Sequence, residues 1–286
     1  MTFLLNSVQL ASFADVAYYL QHQPYALPVI VLILSLLIGS FLNVVILRYP
    51  IMLFRSWLID SKDLRENLPE HDALKNLDSP YTLSKPASHC PRCHSPVKAW
   101  QNIPIVSYLL LRGKCNNCQQ KISLRYPLVE FFTLALSLIA VHQLNDWAAL
   151  LSLGLTWSLI ALALIDFDTQ LLPDDITLPL LWTGLLINMF GVYTNLESAV
   201  LGAIVGYLSL WSVYWGFKIL TGKEGMGYGD FKLLAALGAW LGAESIVVII
   251  LLSAFAGSII GIALMASKKL DQGQAMPFGP YLAIAG

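Results

Sequence analysis

Residues 27–48 read LPVIVLILSLLIGSFLNVVILR, a run in which the final Arg48 is the only charged side chain. A helix needs about 20 apolar residues to cross the hydrocarbon core of a bilayer, so this run predicts a transmembrane helix. The first 25 residues lack a basic start and a continuous apolar core, and we therefore expect an uncleaved anchor rather than a signal peptide. Together with six later apolar runs, the predicted spans are 27–48, 126–144, 147–165, 178–194, 197–220, 229–243 and 245–266.

An eighth apolar run begins near Pro277 and is too short to span, which predicts either a truncated chain or an incomplete last helix. The composition agrees with a membrane protein, because 57% of the 286 residues are hydrophobic and 12% are charged, against about 25% charged in soluble domains. A soluble globule, a disordered chain and a nucleic-acid-binding module are excluded. The predicted fold class is an all-α polytopic membrane protein of seven to eight transmembrane helices. Asn43 and Glu130, inside the first two spans, are candidates for buried contacts between helices.

The basic residues predict the orientation, because Lys and Arg are enriched in cytoplasmic segments of membrane proteins. With the N-terminus outside, all 17 Lys and Arg residues lie in cytoplasmic segments or at cytoplasmic helix ends. The predicted domains are therefore an outer N-terminus with the first span (1–48), a cytoplasmic insert (49–125) and a transmembrane core (126–286).

Four cysteines lie in the second half of the insert as two CxxC pairs, Cys90 with Cys93 and Cys115 with Cys118. Disulfides are not expected there, because the cytoplasm keeps thiols reduced. Each CxxC turn directs two thiolates at one point, and two turns supply the tetrahedral Cys₄ set that Zn²⁺ prefers. We predict a structural zinc in a small zinc-ribbon-like module, with redox chemistry or unbound thiols as the alternatives.

Acidic residues lie where apolar runs end. Asp166 and Asp168 belong to the segment LALIDFDTQLLPDDITLPL, which also contains Asp175, and Asp230 belongs to GMGYGDFKLLAAL. Carboxylates at membrane depth usually face a cavity or a partner, and each is a candidate functional group. The alternative is that Asp175 and Asp230 are helix N-caps and that Asp166 and Asp168 mark the water interface.

Two carboxylates in one site would suit acid–base chemistry, because they cannot both ionise easily and the pair holds one proton. The ionised member can take a proton from water, which attacks a peptide carbonyl, while the protonated member donates to the carbonyl oxygen. The sequence shows no Ser/His/Asp or Cys/His set. The rival interpretations are an ion-coupled transporter, which would show internal repeats, and a zinc-ribbon membrane scaffold without catalysis.

Several motifs together resemble those of the bacterial type IV prepilin peptidases, which are GxGD-type intramembrane aspartyl proteases. The motifs are GSFLNVVILRYP, CPRC and CNNC with LRGKC, IDFDTQLLPDDITLPLLW, GMGYGDFKLLAALGAWLG and PFGPYLA, and they extend over nearly the whole chain. The resemblance implies cleavage of type IV prepilins and type II secretion pseudopilins on the cytoplasmic side, after the glycine that ends a basic leader. It also implies N-methylation of the new terminal residue, usually Phe, with S-adenosylmethionine.

The same resemblance implies roles for individual residues. The protease pair falls on Asp166 and Asp230, and Asp168 is the residue most easily mistaken for Asp166. The LRGKC segment implies a part in methyl transfer for Gly113 and Lys114, although nothing local predicts a site for S-adenosylmethionine. The implied location is the bacterial inner membrane with a periplasmic N-terminus. The implied partners are prepilins, pseudopilins and membrane lipid, and not nucleic acid.

Overall fold

The computed structural model describes residues 26–60, 74, 77, 79–144, 146–267 and 276–286. Within these ranges the chain forms helices and two isolated β-bridges, and no strand. The α-helices, in chain order, are α1 (Ala26–Asp60), α2 (Val106–Leu110), α3 (Arg125–Gln143), α4 (Asp146–Thr169), α5 (Asp174–Asn188), α6 (Leu196–Thr221), α7 (Tyr228–Leu241), α8 (Ala243–Ala266) and α9 (Gly279–Ala285). The predicted outer segment, residues 1–25, lies outside the described residues.

Each of the seven predicted spans overlaps one of these helices, and the all-α membrane fold is confirmed. The span predicted at 178–194 is shifted, because α5 begins at Asp174 and ends at Asn188. Five of the seven helices, α1, α3, α4, α6 and α8, are long and apolar enough to cross a membrane. The other two, α5 and α7, have 15 and 14 residues, and each is about 22 Å long or less at about 1.5 Å per residue. The hydrocarbon core is about 30 Å thick, so a count of seven to eight spans stays a prediction.

Helix α1 differs from its prediction at the C-terminal end. The predicted span ends at Arg48, whereas the helix continues through Pro50 to Asp60. Its 35 residues correspond to about 52 Å, so α1 extends well beyond a single bilayer core. The extension is stable because Arg55 is buried and donates hydrogen bonds to the backbone carbonyls of Leu77 (2.9 Å) and Ser79 (2.6 Å).

Helix α7 lies at the centre of the larger hydrophobic core, which α4, α5, α6, α8 and α9 complete around it. From Asp230 to Trp240 every residue of α7 except Lys232 is buried. Two backbone carbonyls near its C-terminal end accept hydrogen bonds from the side-chain amide of Asn188, namely those of Ala239 (2.8 Å) and Trp240 (2.9 Å). A helix buried among other helices does not have to cross the bilayer alone, which accounts for its short length.

A second, smaller core joins α1, α3 and α4, so α4 contributes to both cores. The Asn43 amide donates to the carbonyl of Tyr126 at 3.1 Å, which confirms its predicted contact between the first two spans. The Glu130 carboxylate accepts hydrogen bonds from the backbone N–H of Ile105, at 2.7 Å, and from the Ser40 side chain of α1. Glu130 therefore binds the insert to α3 and also makes the predicted contact between the first two spans.

Candidate active site

Asp166 lies near the C-terminal end of α4, directly after the fully buried Ile165. Its side chain is 5% exposed. One carboxylate oxygen, Oδ2, accepts a hydrogen bond from the backbone N–H of Gly279 at 2.9 Å. The start of α9 thus fixes the position of this carboxylate.

Asp230 lies in the first turn of α7 and is 6% exposed. The N-cap of α7 is Gly227, three residues before Asp230, so Asp230 is not the capping residue that one alternative expected. Its Oδ1 atom is buried and has no hydrogen-bond partner among the described residues. An unsatisfied buried carboxylate oxygen is costly in a folded protein and therefore indicates a functional role.

Both carboxylates line one cavity of about 400 Å³, and they are close enough to interact electrostatically. The cavity lies between the end of α4, the segment before α7 and the segment before α9. Its described lining is predominantly acidic, because Asp174 and Glu224 line it together with the pair, whereas Lys232 is the one basic residue among the described residues that line it. The geometry therefore brings two carboxylates into a space that can hold water and part of a polypeptide.

Glycines allow the backbone to approach this cavity closely. A Cβ atom on Gly279 would lie 2.8 Å from Asp166 Oδ2, and a Cβ on Gly229 would lie 2.6 Å from the Leu172 side chain. Neither position has room for a side chain unless its neighbour moves. The close packing at Gly279 is what allows its N–H to reach Asp166.

The neighbouring acidic residues have partners of their own. Asp168 forms a bidentate ion pair with Arg125 at the start of α3, with N–O distances of 2.8 and 2.5 Å. Asp174 pairs with Lys232 at 2.7 and 2.8 Å. The Asp175 carboxylate accepts a hydrogen bond from the Tyr49 hydroxyl and lies in the first turn of α5, whose N-cap is Pro173.

Glu224, which also lines the cavity, pairs with Lys218 at 2.8 Å, and a hydrogen bond from this lysine lowers the pKa of the Glu224 carboxyl. Among the described acidic residues of the cavity, Asp166 and Asp230 therefore stand apart, because neither forms an ion pair with a basic side chain.

The four cysteines come together at the same end of the helix bundle, on the insert between α1 and α3. Their Sγ atoms all lie within 4.8 Å of one another. Cys90 and Cys118 are 3.8 Å apart, and Cys93 and Cys115 are 4.0 Å apart. Tetrahedral ligation with Zn–S bonds of about 2.3 Å places sulfur atoms about 3.8 Å apart, so the four thiols could bind a metal ion.

The two cysteine turns have matching backbone geometry. The N–H of His94 donates to the Cys90 carbonyl at 2.9 Å, and the N–H of Gln119 donates to the Cys115 carbonyl at 3.1 Å. A short antiparallel bridge encloses each turn. Hydrogen bonds with Ser95 and then Asn117 lower the pKa of the Cys93 thiol to about 5, which favours the thiolate that a metal requires.

Gly113 and Lys114 line a second cavity, of about 360 Å³, on the insert. Gly113 is buried with φ +66°, and a Cβ atom there would lie 2.7 Å from the Tyr108 hydroxyl oxygen. Lys114 is exposed and lies in the bridge that encloses the second cysteine turn. The cavity is separate from the carboxylate cavity, and the two share no lining residue.

Reasoning from single residues did not identify Gly279 or Lys232 as parts of the site. The PFGP segment that contains Gly279 belongs to the motifs of the resemblance, which imply no role for Gly279 itself. A glycine and two prolines before a short apolar run predict a turn. They do not predict the contact of Gly279 with Asp166, which lies 113 residues earlier in the chain.

Comparison with known proteins identifies the family. The model of the Bacterial Peptidase A24 N-terminal domain matches residues 33–144, and that of the Type IV leader peptidase family matches residues 153–262. Relatives named prepilin leader peptidase/N-methyltransferase include one from Aeromonas salmonicida (strain A449), 53% identical over 259 residues, which are 90% of this chain and 88% of the relative. Others are from Stutzerimonas stutzeri (51%) and Pseudomonas aeruginosa (50%), each over 94% of this chain and 91% of the relative. No solved structure gives a significant match.

The fold and the carboxylate cavity define a polytopic membrane enzyme with a cysteine-rich insert that could bind a metal. The chain belongs to the type IV leader peptidase family, and it is a peptidase and a methyltransferase. The expected enzyme is thereby confirmed over an ion-coupled transporter and a non-catalytic scaffold.

Proposed function

We propose that Asp166 and Asp230 form the catalytic pair of an aspartyl protease that cleaves type IV prepilins and type II secretion pseudopilins. The observation that carries this proposal is the burial of both carboxylates in one cavity, where neither forms an ion pair with a basic side chain. Asp168, two residues after Asp166, is instead neutralised by Arg125. Two carboxylates can share one proton when they lie close together and no basic side chain neutralises either of them, and this pair meets both conditions.

The hydrogen bonds support different proposed roles for the two carboxylates. Asp166 accepts the Gly279 N–H, and such a bond favours the ionised form. Asp230 has a buried oxygen without a partner, which suits the protonated form, because that form can donate to a substrate. Asp166 then takes a proton from water as the water oxygen attacks the scissile carbonyl carbon, and Asp230 donates its proton to the carbonyl oxygen.

Collapse of the tetrahedral intermediate completes the reaction. The peptide nitrogen receives the proton that Asp166 took from water, and the C–N bond breaks. Asp230 recovers its proton from the hydroxyl that becomes the new carbonyl oxygen. Both carboxylates return to their starting protonation states, and at no stage is the substrate covalently bound to the enzyme.

The cavity also suits the substrate that the names of the relatives indicate. A prepilin leader is basic and is followed by an apolar helix, so its scissile bond lies at the membrane interface. The acidic lining of the cavity would attract such a leader. We place the protein in the bacterial inner membrane with a periplasmic N-terminus, so that the cavity and the insert both face the cytoplasm. The clustering of Lys and Arg at that end supports this orientation.

We further propose that the four cysteines bind one structural Zn²⁺. All four ligand positions would be filled by thiolates, which leaves none for a reacting water. The metal would then hold the two cysteine turns together and shape the insert. It would take no part in peptide cleavage, because none of the described insert residues lines the carboxylate cavity.

For methyl transfer we propose that Gly113 and Lys114 contribute, with S-adenosylmethionine as the donor. The residues around them match only part of that molecule. None of the described residues that line their cavity is acidic, so none of them can pair with the sulfonium or ammonium group of that molecule. Gly113 and Lys114 therefore do not form a complete donor site by themselves. An alanine at Gly113, whose Cβ would press on Tyr108, is expected to reduce methyl transfer and leave cleavage unchanged.

Mass spectrometry of a full-length prepilin incubated in lipid tests both activities, because leader loss and methyl gain appear as separate mass changes. Asp166→Asn and Asp230→Asn should each slow cleavage roughly 100- to 10,000-fold, the usual range for loss of a general acid or base. Asp168→Asn is the matched control and should cleave within about fivefold of wild type, because it loses only a partly exposed ion pair. Cleavage that survives in all three variants would overturn the aspartyl mechanism.

A further inference from the structure

The insert exposes an apolar face outside the transmembrane helices. Trp100 and Ile103 lie on and just after a short 3-10 helix, and Val106, Leu109 and Leu110 lie on α2. All five are exposed, and Leu109 and Leu110 are 68% and 70% exposed. A water-soluble loop rarely presents so many large apolar side chains together, so this face indicates an interaction site.

Contacts place this face at the level where a transmembrane helix begins. The Ile105 N–H, next to α2, donates to the Glu130 carboxylate in the second turn of α3 at 2.7 Å. Leu124, the N-cap of α3, and Leu128, in its first turn, are also exposed. The apolar face is therefore continuous with the lipid-facing surface of α3, at the depth of the bilayer interface.

A cluster of basic residues adjoins the apolar face. Arg112, Lys114 and Lys121 line the 360 Å³ cavity together with Tyr108, and none of the described residues that line it is acidic. The whole stretch 90–125 contains six basic residues and no acidic one. Within the described part of the chain, no acidic side chain pairs with any of the three basic residues of the cavity. They are thus available to an anion.

We propose that this side of the insert lies on the membrane and that the cavity binds the phosphate of an anionic phospholipid. The apolar side chains would enter the interface, and the basic side chains would contact the headgroup beside them. This is the arrangement by which amphipathic segments attach to anionic bilayers. It holds the insert at the surface from which the carboxylate cavity is reached.

The carboxylate of S-adenosylmethionine has the same charge and oxygen chemistry as a lipid phosphate. Two observations favour lipid. A small polar cofactor would leave the apolar face beside the cavity uncovered. None of the described residues that line the cavity is acidic, so none can pair with the two cationic groups of the cofactor. The experiment must therefore measure lipid and cofactor binding separately.

Native mass spectrometry of the purified full chain measures lipid retention after exchange with phosphatidylglycerol or phosphatidylcholine. Each basic residue near an anionic surface is worth about a fivefold preference, so Arg112→Gln/Lys121→Gln should lower the preference for phosphatidylglycerol about 25-fold. Lys85→Gln/Arg92→Gln removes the same charge elsewhere on the insert, outside the cavity and outside the two short helices of the apolar face, and is the matched control. It should retain the wild-type preference.

Two further measurements keep the proposal open to refutation. A lipid-soluble diazirine should label the peptide containing Leu109 and Leu110 in wild-type protein in bilayers, and this needs no variant. Unlabelled leucines would overturn membrane contact, even if Arg112→Gln/Lys121→Gln failed to fold. Binding of radiolabelled S-adenosylmethionine should be unchanged in that variant. Loss of cofactor binding with lipid preference intact would assign the cavity to the cofactor instead and overturn the proposal.

Discussion

Replacement of Gly279 by alanine tests whether the N–H of this residue positions Asp166. The added Cβ would lie 2.8 Å from Asp166 Oδ2 and 3.2 Å from its Cγ. An ordinary carbon–oxygen contact is about 0.5 Å longer, so the carboxylate must move by about that distance. The backbone of Gly279 does not have positive φ, and the effect of alanine therefore comes from this contact and not from backbone strain.

The size of the effect follows from the hydrogen bond between the Gly279 N–H and Asp166, which the displaced carboxylate would lose. A bond from a backbone N–H to a charged carboxylate contributes about 1.5–3 kcal/mol, which corresponds to a fall in kcat of roughly 10- to 150-fold. KM should change little, because the bond orients the carboxylate and does not contact the substrate. The assay is steady-state cleavage of a full-length prepilin in lipid, with methylation of a previously cleaved pilin as an independent check that the chain is folded.

Gly154→Ala is the matched control for this experiment. Gly154 lies on the same helix as Asp166, and a Cβ there would meet no atom within 4 Å. It should cleave at the wild-type rate, since alanine is also the better helix former. A Gly279→Ala enzyme with kcat within twofold of wild type would refute the positioning role of the Gly279 N–H. A rise in KM with unchanged kcat would refute it as well.

Two further predictions concern the metal and the core. Cys93→Ser, or treatment with a chelator, should lower the zinc content from about one ion per chain to near zero and abolish methyl transfer. Cleavage should continue, because the described part of the insert does not line the carboxylate cavity. Loss of cleavage in parallel with zinc would contradict this separation. Asn188→Ala should destabilise the fold by about 3 kcal/mol, because it removes two donated hydrogen bonds and leaves the N–H groups of Tyr193 and Thr194 without their acceptor. Unfolding in increasing SDS measures this, and a change below about 1 kcal/mol would contradict it.

Patterns that depend on neighbouring residues were accessible from the sequence. The apolar runs gave the positions of seven helices, because the length of a run relates directly to bilayer thickness. The spacing within CPRC and CNNC predicted four thiols at one point, because each short turn fixes two of them, and the sulfur atoms lie within 4.8 Å. In both cases the local sequence determines the geometry, and distant parts of the chain add little.

Features that depend on distant contacts were not accessible. The extension of α1 to Asp60 is stabilised by hydrogen bonds from Arg55 to the carbonyls of Leu77 and Ser79, and no local pattern specifies that pairing. The short length of α7 is tolerated because five other helices surround it. The same limit applies to Gly279, whose N–H reaches a carboxylate 113 residues earlier.

The choice between Asp166 and Asp168 shows how local and distant information combine. Residues two apart on a helix point about 200° from each other, so the sequence IDFD alone implies that at most one of these carboxylates can share a site with Asp230. Which one does so depends on what packs against each face of α4. Asp166 faces the cavity and accepts the Gly279 N–H, whereas Asp168 faces α3 and binds Arg125. A carboxylate at position 168 therefore cannot replace one lost at position 166 without a rotation of α4 that would break both of its hydrophobic cores.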